Sequence, residues 1–430
     1  MSYQSPYKEF IFEQATFDEE SGVMTLRYSF DGVVAFAETI QFEVPAANYD
    51  RSTLDRAMLL AFIVAGISYY KCHPTSQVRL RQGALTPAQA AFFSEVYRDG
   101  LSQFVYENGL QPDYIATFTA TSVDDPVGIN DYVGEGTLVL QSGGKDSLLV
   151  ATLLERNESP YYAWYLSHNR TYPMVIDSLR ATLRLPIRRL DLEQLRAQAG
   201  AGGLNGHVPV TFINLSFALI DAILHSESTV VAAIGREGEE PHAYIGDYAV
   251  RHQWSKTWHA EQLFSDYVRS FVASNLSVGS PLRSLSELKI AQLFAEHAWD
   301  RFGHSFSSCN TANYQQSHDN SQLTWCGECP KCANSFLLFA PFIARTELEL
   351  VFGSNLFNKP ILENTFKGLL GIDGVEKPFE CVGEIEELRA AYHLALKNGY
   401  DELLFEVPVS DYNMEVRGDS QSWALEMLQY

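Results

Sequence analysis

The stretch Ser142-Gly143-Gly144-Lys145-Asp146-Ser147 has the residue types needed to hold a chain of phosphates. An apolar run, Leu138-Val139-Leu140, precedes it, and apolar residues at helical spacing follow (Leu148, Leu149, Ala151, Leu153, Leu154). Two glycines at a strand–helix turn bring backbone N–H groups close to an anion, and the new helix adds its positive end. The Ser142 and Ser147 hydroxyls can donate to phosphate oxygens, Lys145 supplies charge, and Asp146 can orient the loop or meet a metal ion. The spacing is not that of a Walker loop. The plainer alternative is a Gly-Gly turn with no ligand.

A second constellation is thiol-based. Four of the six cysteines follow a C-x16-C-x2-C-x2-C pattern: Cys309, Cys326, Cys329 and Cys332. Four thiolates close a tetrahedral zinc site, and short Cys-x-x-Cys turns bring two sulfurs to one ion. Reduced core thiols and an iron–sulfur cluster are the alternatives. Gly327, Glu328, Pro330 and Lys331 make poor core, and a knuckle-like loop is expected. Cys72 and Cys381 stand alone.

The third candidate is Arg251-His252-Gln253-Trp254-Ser255-Lys256, before an amphipathic helix expected over 257–272. His252 can exchange protons near neutral pH, and Lys256 or Arg251 can hold a phosphate or carboxylate. Ser255 can equally be a helix N-cap. The loop Gly235-Arg236-Glu237-Gly238-Glu239-Glu240-Pro241-His242 is charged and follows an apolar run. His207 and His242 are further acid–base candidates, and Arg180, Arg184, Arg188 and Arg189 read as a basic surface stretch.

The elements that must position these groups form an α/β pattern from residue 137. Strands are expected at 137–141, 161–166, 186–191 and 229–234, with helices near 147–156, 173–184 and 209–226. That rhythm implies a parallel sheet with helices on both faces, whose ligands bind beyond the carboxyl ends of the strands. Before it, 9–44 alternates as antiparallel strands do. Leu54, Met58, Phe62, Ile63 and Ile67 mark a helix, and Thr86-Pro87-Ala88-Gln89 is a capping box opening another. The expected division is an α+β domain over 1–130, a phosphate-loop domain with the cysteine site over 131–345, and a mostly helical region over 346–430. The linker is expected over 124–136.

The chain of 430 residues has 46% hydrophobic and 20% charged residues, ordinary for a globular protein. A net charge of −22 opposes nucleic-acid binding. The run Leu59–Tyr70 is too short to span a bilayer and reads as a buried helix. No export signal is evident, so a cytoplasmic enzyme without a membrane partner is expected. Nothing here fixes the oligomeric state.

Ser142–Ser147 resembles the pyrophosphate loop, Ser-Gly-Gly-x-Asp-Ser, of the ATP pyrophosphatase superfamily, which implies a HUP-like core. The cysteine knot resembles the structural zinc site of 7-cyano-7-deazaguanine synthases, which share that loop. Over almost its full length the chain is similar to the UDP-N-acetyl-α-D-muramoyl-L-alanyl-L-glutamate epimerases (MurL) of peptidoglycan synthesis. The matching stretches are Ile63–Lys71, Gly100–Gly109, Ser142–Ser147, His252–Lys256, Pro281–Leu288, the cysteine knot and Lys377–Glu384. The loop 235–242 departs from the Ser-rich run expected there.

The resemblance implies that ATP and Mg²⁺ bind Ser142, Gly143, Gly144, Lys145, Asp146 and Ser147. A glutamyl carboxylate would become an acyl-adenylate, which makes its Cα proton removable before hydrolysis to D-glutamate, AMP and pyrophosphate. It implies catalytic roles for His252, Lys145 and Lys256. Arg236, Glu237, Gln253 and Ser255 would contact the UDP-linked muramoyl dipeptide, and zinc would sit on the four cysteines. The alternative reading is an amidating or nitrile-forming enzyme similar to the deazaguanine synthases.

Overall fold

The apolar–polar alternation near the N-terminus builds β1 (Glu9–Asp18), β2 (Val23–Phe30) and β3 (Val34–Gln41) as an antiparallel meander. A computed structural model describes residues 3–45, 49–123, 132–315 and 320–427. Strand β4 (Gln77–Leu80) adds to β1 in parallel. The helix Arg51–Tyr70 packs on this sheet, its first turn capped by the Asp50 carboxylate accepting from the Thr53 N–H. It is longer than the apolar run suggested, and by length and composition alone it could cross a bilayer. Here 78% of its most apolar window is buried inside the protein. The capping box at Thr86 and Gln89 opens the helix Pro87–Gly100.

The chain then runs through β5 (Thr137–Leu140), β6 (Tyr162–Trp164), β7 (Thr182–Arg184), β8 (Ile187–Arg189) and β9 (Thr229–Val231). A hairpin of β10 (Ala243–Ile245) and β11 (Tyr248–Val250) precedes β12 (Ser277–Gly279). Strands β12, β9, β5, β6 and β7, in that spatial order, make a five-stranded parallel sheet. Its side chains alternate between two cores. Leu138, Trp164 and Val230 face the N-terminal sheet and the helix Val210–Leu224. Val139, Ala163 and Val231 face the helices Lys145–Arg156, Glu287–His297 and Pro330–Phe339. Period-two alternation with both faces buried is the signature of a parallel sheet covered on each side.

Several sequence expectations are corrected. The strand near 186–191 is not in the parallel sheet: β8 pairs antiparallel with β3, Gln41 opposite Ile187 and Thr39 opposite Arg189. The expected helix at 173–184 is a short 3-10 turn, Met174–Ser178, followed by β7. Its apolar spacing suits a helix, but the buried Arg184–Glu227 ion pair draws residues 182–184 into the sheet. Arg184 and Arg188 are therefore not surface residues; they are 7% and 5% exposed, Arg188 paired with Glu38. Arg180 is exposed as expected. The helix at 257–272 is α-helical over Trp258–Tyr267 and continues as a π-turn, Val268–Val272. Its N-cap is Thr257, not Ser255. Of the expected linker, 124–131 lies outside the described residues. Beyond 345, the described elements are helices, including Arg345–Phe352, Glu363–Leu369 and Ile385–Lys397.

Candidate active site

From β5 the chain proceeds to β6 and β7 on one side, then returns to place β9 and β12 on the other. The loops leaving β5 and β9 diverge over a crevice at this switch in strand order, where open parallel sheets bind ligands. The first of these loops is Ser142–Ser147. The second carries Arg236, Glu237, Glu239 and Glu240.

Gly143 adopts φ +75°, with Leu323, Pro173 and Val175 packed where a side chain would project. Its glycine is thus required twice, by conformation and by space. Within the loop the Ser147 Oγ accepts from the Ser142 N–H at 3.2 Å, and the Ser142 Oγ accepts from the Gly144 N–H at 3.3 Å. The helix starts at Lys145 with Gly144 as its N-cap and no side-chain cap. Its first-turn amides are therefore available to an anion at the carboxyl end of β5.

Lys145 is 8% exposed and reaches two carboxylates, Asp146 and Glu287. Burial alone would lower its pKa, but Asp146 and Glu287 outweigh it and hold the ammonium charged. The Glu287 pKa is also raised, towards the neutral acid: burial dominates, and Glu237, Asp146 and Glu387 add to it against the pull of Lys145. Its Oε1 has no partner among the described residues. Across the crevice, the Lys256 ammonium donates to Glu237 Oε1 at 3.0 Å and to Cys381 Sγ at 3.5 Å. Burial is again outweighed, by Cys381 and Glu237, and the Lys256 pKa rises. Glu237 is lowered; burial opposes this, but Lys256, Lys145 and Arg283 prevail.

Arg283, 1% exposed, binds the Glu261 carboxylate at 2.9 Å and donates to the carbonyls of Gly235 (2.6 Å) and Lys256 (2.7 Å). One guanidinium thereby fixes both segments that carry the candidate substrate residues. Gly235 belongs there because a Cβ would collide with Glu287 and Ile290.

His252 lies 9% exposed. Its Nδ1 is 2.7 Å from Gln103 Oε1, and its ring centroid is 4.6 Å from that of His207. Burial first, then Lys331 and Lys256 against the pull of Glu380, lowers its pKa to about 4. Burial likewise takes His207 and His242 to about 3. Gln253 Oε1 is 3.5 Å from Thr211 Oγ1. The buried Ser255 hydroxyl instead lines a small cavity with Phe212, Leu215 and Ile234.

A strap from the C-terminal region, residues 377–384, closes the crevice. Lys377 pairs with Glu240, and Glu384 with Arg236 at 3.3 Å. Phe379 stacks on His242 at 5.4 Å, and the Glu380 carbonyl lies 3.2 Å from His242 Nε2. The Gly383 N–H donates to Asn334 at 3.0 Å, and Lys331 donates to the Cys381 carbonyl at 3.0 Å. Lys331 lies within the cysteine knot, which the strap thus joins to the crevice.

The four knot sulfurs all lie within 4.8 Å of one another, with Cys309–Cys329 at 3.6 Å and Cys326–Cys332 at 3.7 Å. A tetrahedron of sulfurs about 2.3 Å from one ion has edges of about 3.8 Å. The cluster fits a single tetrahedral metal ion. A four-iron cluster, which binds one thiolate per iron around a cube, needs wider spacing. Cys329 is the N-cap of the helix Pro330–Phe339, Cys332 lies in its first turn, and the Gly327 N–H points at the Cys332 sulfur from 3.3 Å.

The structure therefore brings the Ser142–Ser147 loop near Glu237 and Lys256, pairs Arg236 with Glu384 of the strap, sets His252 near Lys256, and turns Ser255 away. Sequence reasoning assigned no role to Arg283, Glu287 or Cys381. Their signal was charge or sulfur inside two matched stretches, Pro281–Leu288 and Lys377–Glu384.

Fold and site define an α/β protein with a glycine-turn loop at the sheet's switch point and a four-cysteine cluster able to hold one metal ion. Comparison with known proteins gives the family. The profile of the MurL N-terminal domain matches residues 1–280, and that of the MurL C-terminal domain matches 305–405. The chain belongs to the MurL family. It is 33% identical over 397 residues to the UDP-N-acetyl-alpha-D-muramoyl-L-alanyl-L-glutamate epimerase of Xanthomonas oryzae pv. oryzae, covering 89% of this chain and 84% of that protein. It is 34% identical over 398 residues to the protein of the same name from Salinispora tropica, covering 90% and 84%.

Proposed function

We propose that the protein converts the terminal L-glutamate of UDP-N-acetylmuramoyl-L-alanyl-L-glutamate to D-glutamate, cleaving ATP to AMP and pyrophosphate. The observation that carries this reading is the convergence, at one switch point, of the Ser142–Ser147 loop with Arg236, Glu237 and Lys256. The names of the relatives supply the substrate. The core is read as HUP-like, and the N-terminal α+β part as its scaffold.

A carboxylate beside Cα makes the Cα proton nearly impossible to remove, because a dianion would form. Esterifying it to AMP neutralises that charge and leaves a carbonyl able to accept the electron pair. The loop amides, Ser142 and Ser147 bind the phosphates, and Lys145 leaves its carboxylates to meet the departing pyrophosphate. Asp146 would hold Mg²⁺, which would offset phosphate charge. Arg236, Glu237 and Gln253 meet the substrate, with Ser255 behind them, and Lys256 polarises the activated carbonyl. His252 takes the proton. Zinc in the knot is structural, since four thiolates leave no open position. Six free thiols suit a reducing compartment such as the cytoplasm.

Incubation with ATP, Mg²⁺ and the UDP-muramoyl dipeptide should yield AMP and D-glutamate in equal amounts. ADP as product, or glutamate of unchanged configuration, would overturn the reading.

A further inference from the structure

We propose that Cys381 is a second catalytic residue, delivering a proton to the glutamyl Cα from the face opposite His252. This rests on the acyl-adenylate reading above. With the enolate held in place, a base on one face returns the proton to that face, and inversion then takes a second group on the other.

The hydrogen bonds around His252 define what it can do. Gln103 Nε2 donates to Glu107 Oε1 at 2.7 Å, so Gln103 Oε1 is an acceptor and His252 Nδ1 carries the proton. Nε2 is left with a lone pair: it can take a proton but has none to give. The donor must be another group. Lys377 and Arg236 are bound to Glu240 and Glu384. Cys72 is buried in the N-terminal core, and the other four cysteines form the knot.

Cys381 has its sulfur 3.5 Å from the Lys256 ammonium, which would stabilise the thiolate left after proton donation. Its backbone is fixed by Lys331, and its neighbours by His242 and Asn334. A second observation points to a ligand at this spot. Glu237, 7% exposed, holds Lys256 through Oε1 while Oε2 has no partner among the described residues. A buried carboxylate oxygen of this kind is satisfied by an incoming N–H, such as the substrate's peptide amide.

The step balances. His252 Nε2 takes the Cα proton, and the C–H electron pair moves onto the adenylate carbonyl as an enolate. The Cys381 S–H bond breaks, its proton bonds to Cα on the other face, and the carbonyl re-forms. A proton passed through solvent returns imidazolium and thiolate to their neutral forms.

Wild type, Cys381→Ala and Cys381→Ser are compared in D₂O for pyrophosphate release, Cα deuterium and D-glutamate. Both variants should release pyrophosphate within about threefold of wild type and make D-glutamate at least about 100-fold more slowly. The L-glutamate they leave should carry deuterium at Cα, since His252 still exchanges its face. Variants that form D-glutamate at the wild-type rate, or lose pyrophosphate release equally, would overturn the assignment. Should the variants fail to fold, alkylation of wild type decides: substrate with a non-hydrolysable ATP analogue should shield Cys381 from iodoacetamide, and lack of shielding counts against it. Failure of wild type itself to release AMP would instead fault the acyl-adenylate reading.

Discussion

Lys145 is held by two carboxylates that it must give up before it can serve a phosphate. Its place in the first helical turn puts the charge beside the loop amides, where transition-state charge on a leaving pyrophosphate would develop. Lys145→Met should therefore lower pyrophosphate release by about 100-fold or more, while thermal unfolding shows a folded protein. Asp146→Asn should raise the Mg²⁺ concentration needed for half-maximal pyrophosphate release. The buried histidines act on stability. Their folded pKa values, about 3 for His207 and His242 and about 4 for His252, lie below the ordinary 6.5. The unfolded chain thus binds more protons through that window, and stability is lost as pH falls from about 6.5 towards 4. Removing one such group should flatten the slope: the urea midpoint of His207→Phe should fall less than that of wild type over that range.

At the level of elements, the strap and the knot act as one unit through Lys331. With zinc bound as proposed, taking it away would release the Cys326–Cys332 turn, and the Cys381 backbone would lose its anchor. Chelation, or Cys326→Ser, should abolish bound zinc by metal analysis, lower the melting temperature, and reduce D-glutamate formation more than pyrophosphate release. The knot and the phosphate loop were legible in the sequence because their chemistry is local: turn glycines, a new helix, and thiols at fixed spacing. The strap was legible only as a matched stretch. Its function depends on pairs such as Lys377–Glu240 and Cys381–Lys256, far apart in the chain, which no periodicity encodes. For the same reason β8 was assigned to the wrong sheet. A three-residue strand with two arginines carries no mark of its partner, and the deciding fact is that Arg188 finds Glu38.

That pair also matters to the whole molecule, because it joins β3 to β8 and so holds a strand from beyond the phosphate loop in the N-terminal sheet. Glu38 is fully buried and Arg188 is 5% exposed. Glu38→Ala would strand a guanidinium in the core and should cost about 3–5 kcal/mol by urea unfolding. The double variant Glu38→Met, Arg188→Met should recover most of that loss, because neither charge is left alone. The parallel sheet, with a core on each face, holds the β5 and β9 loops in fixed relation while the strap arrives from elsewhere. The strap's position late in the chain has a consequence for synthesis. A ribosome exposes the phosphate loop long before residues 377–384 leave the exit tunnel. Until then Lys256 lacks its sulfur neighbour and Arg236 its carboxylate, so a nascent or truncated chain holds an open, incomplete crevice. The order of translation thus makes the strap the last part of the crevice to fall into place.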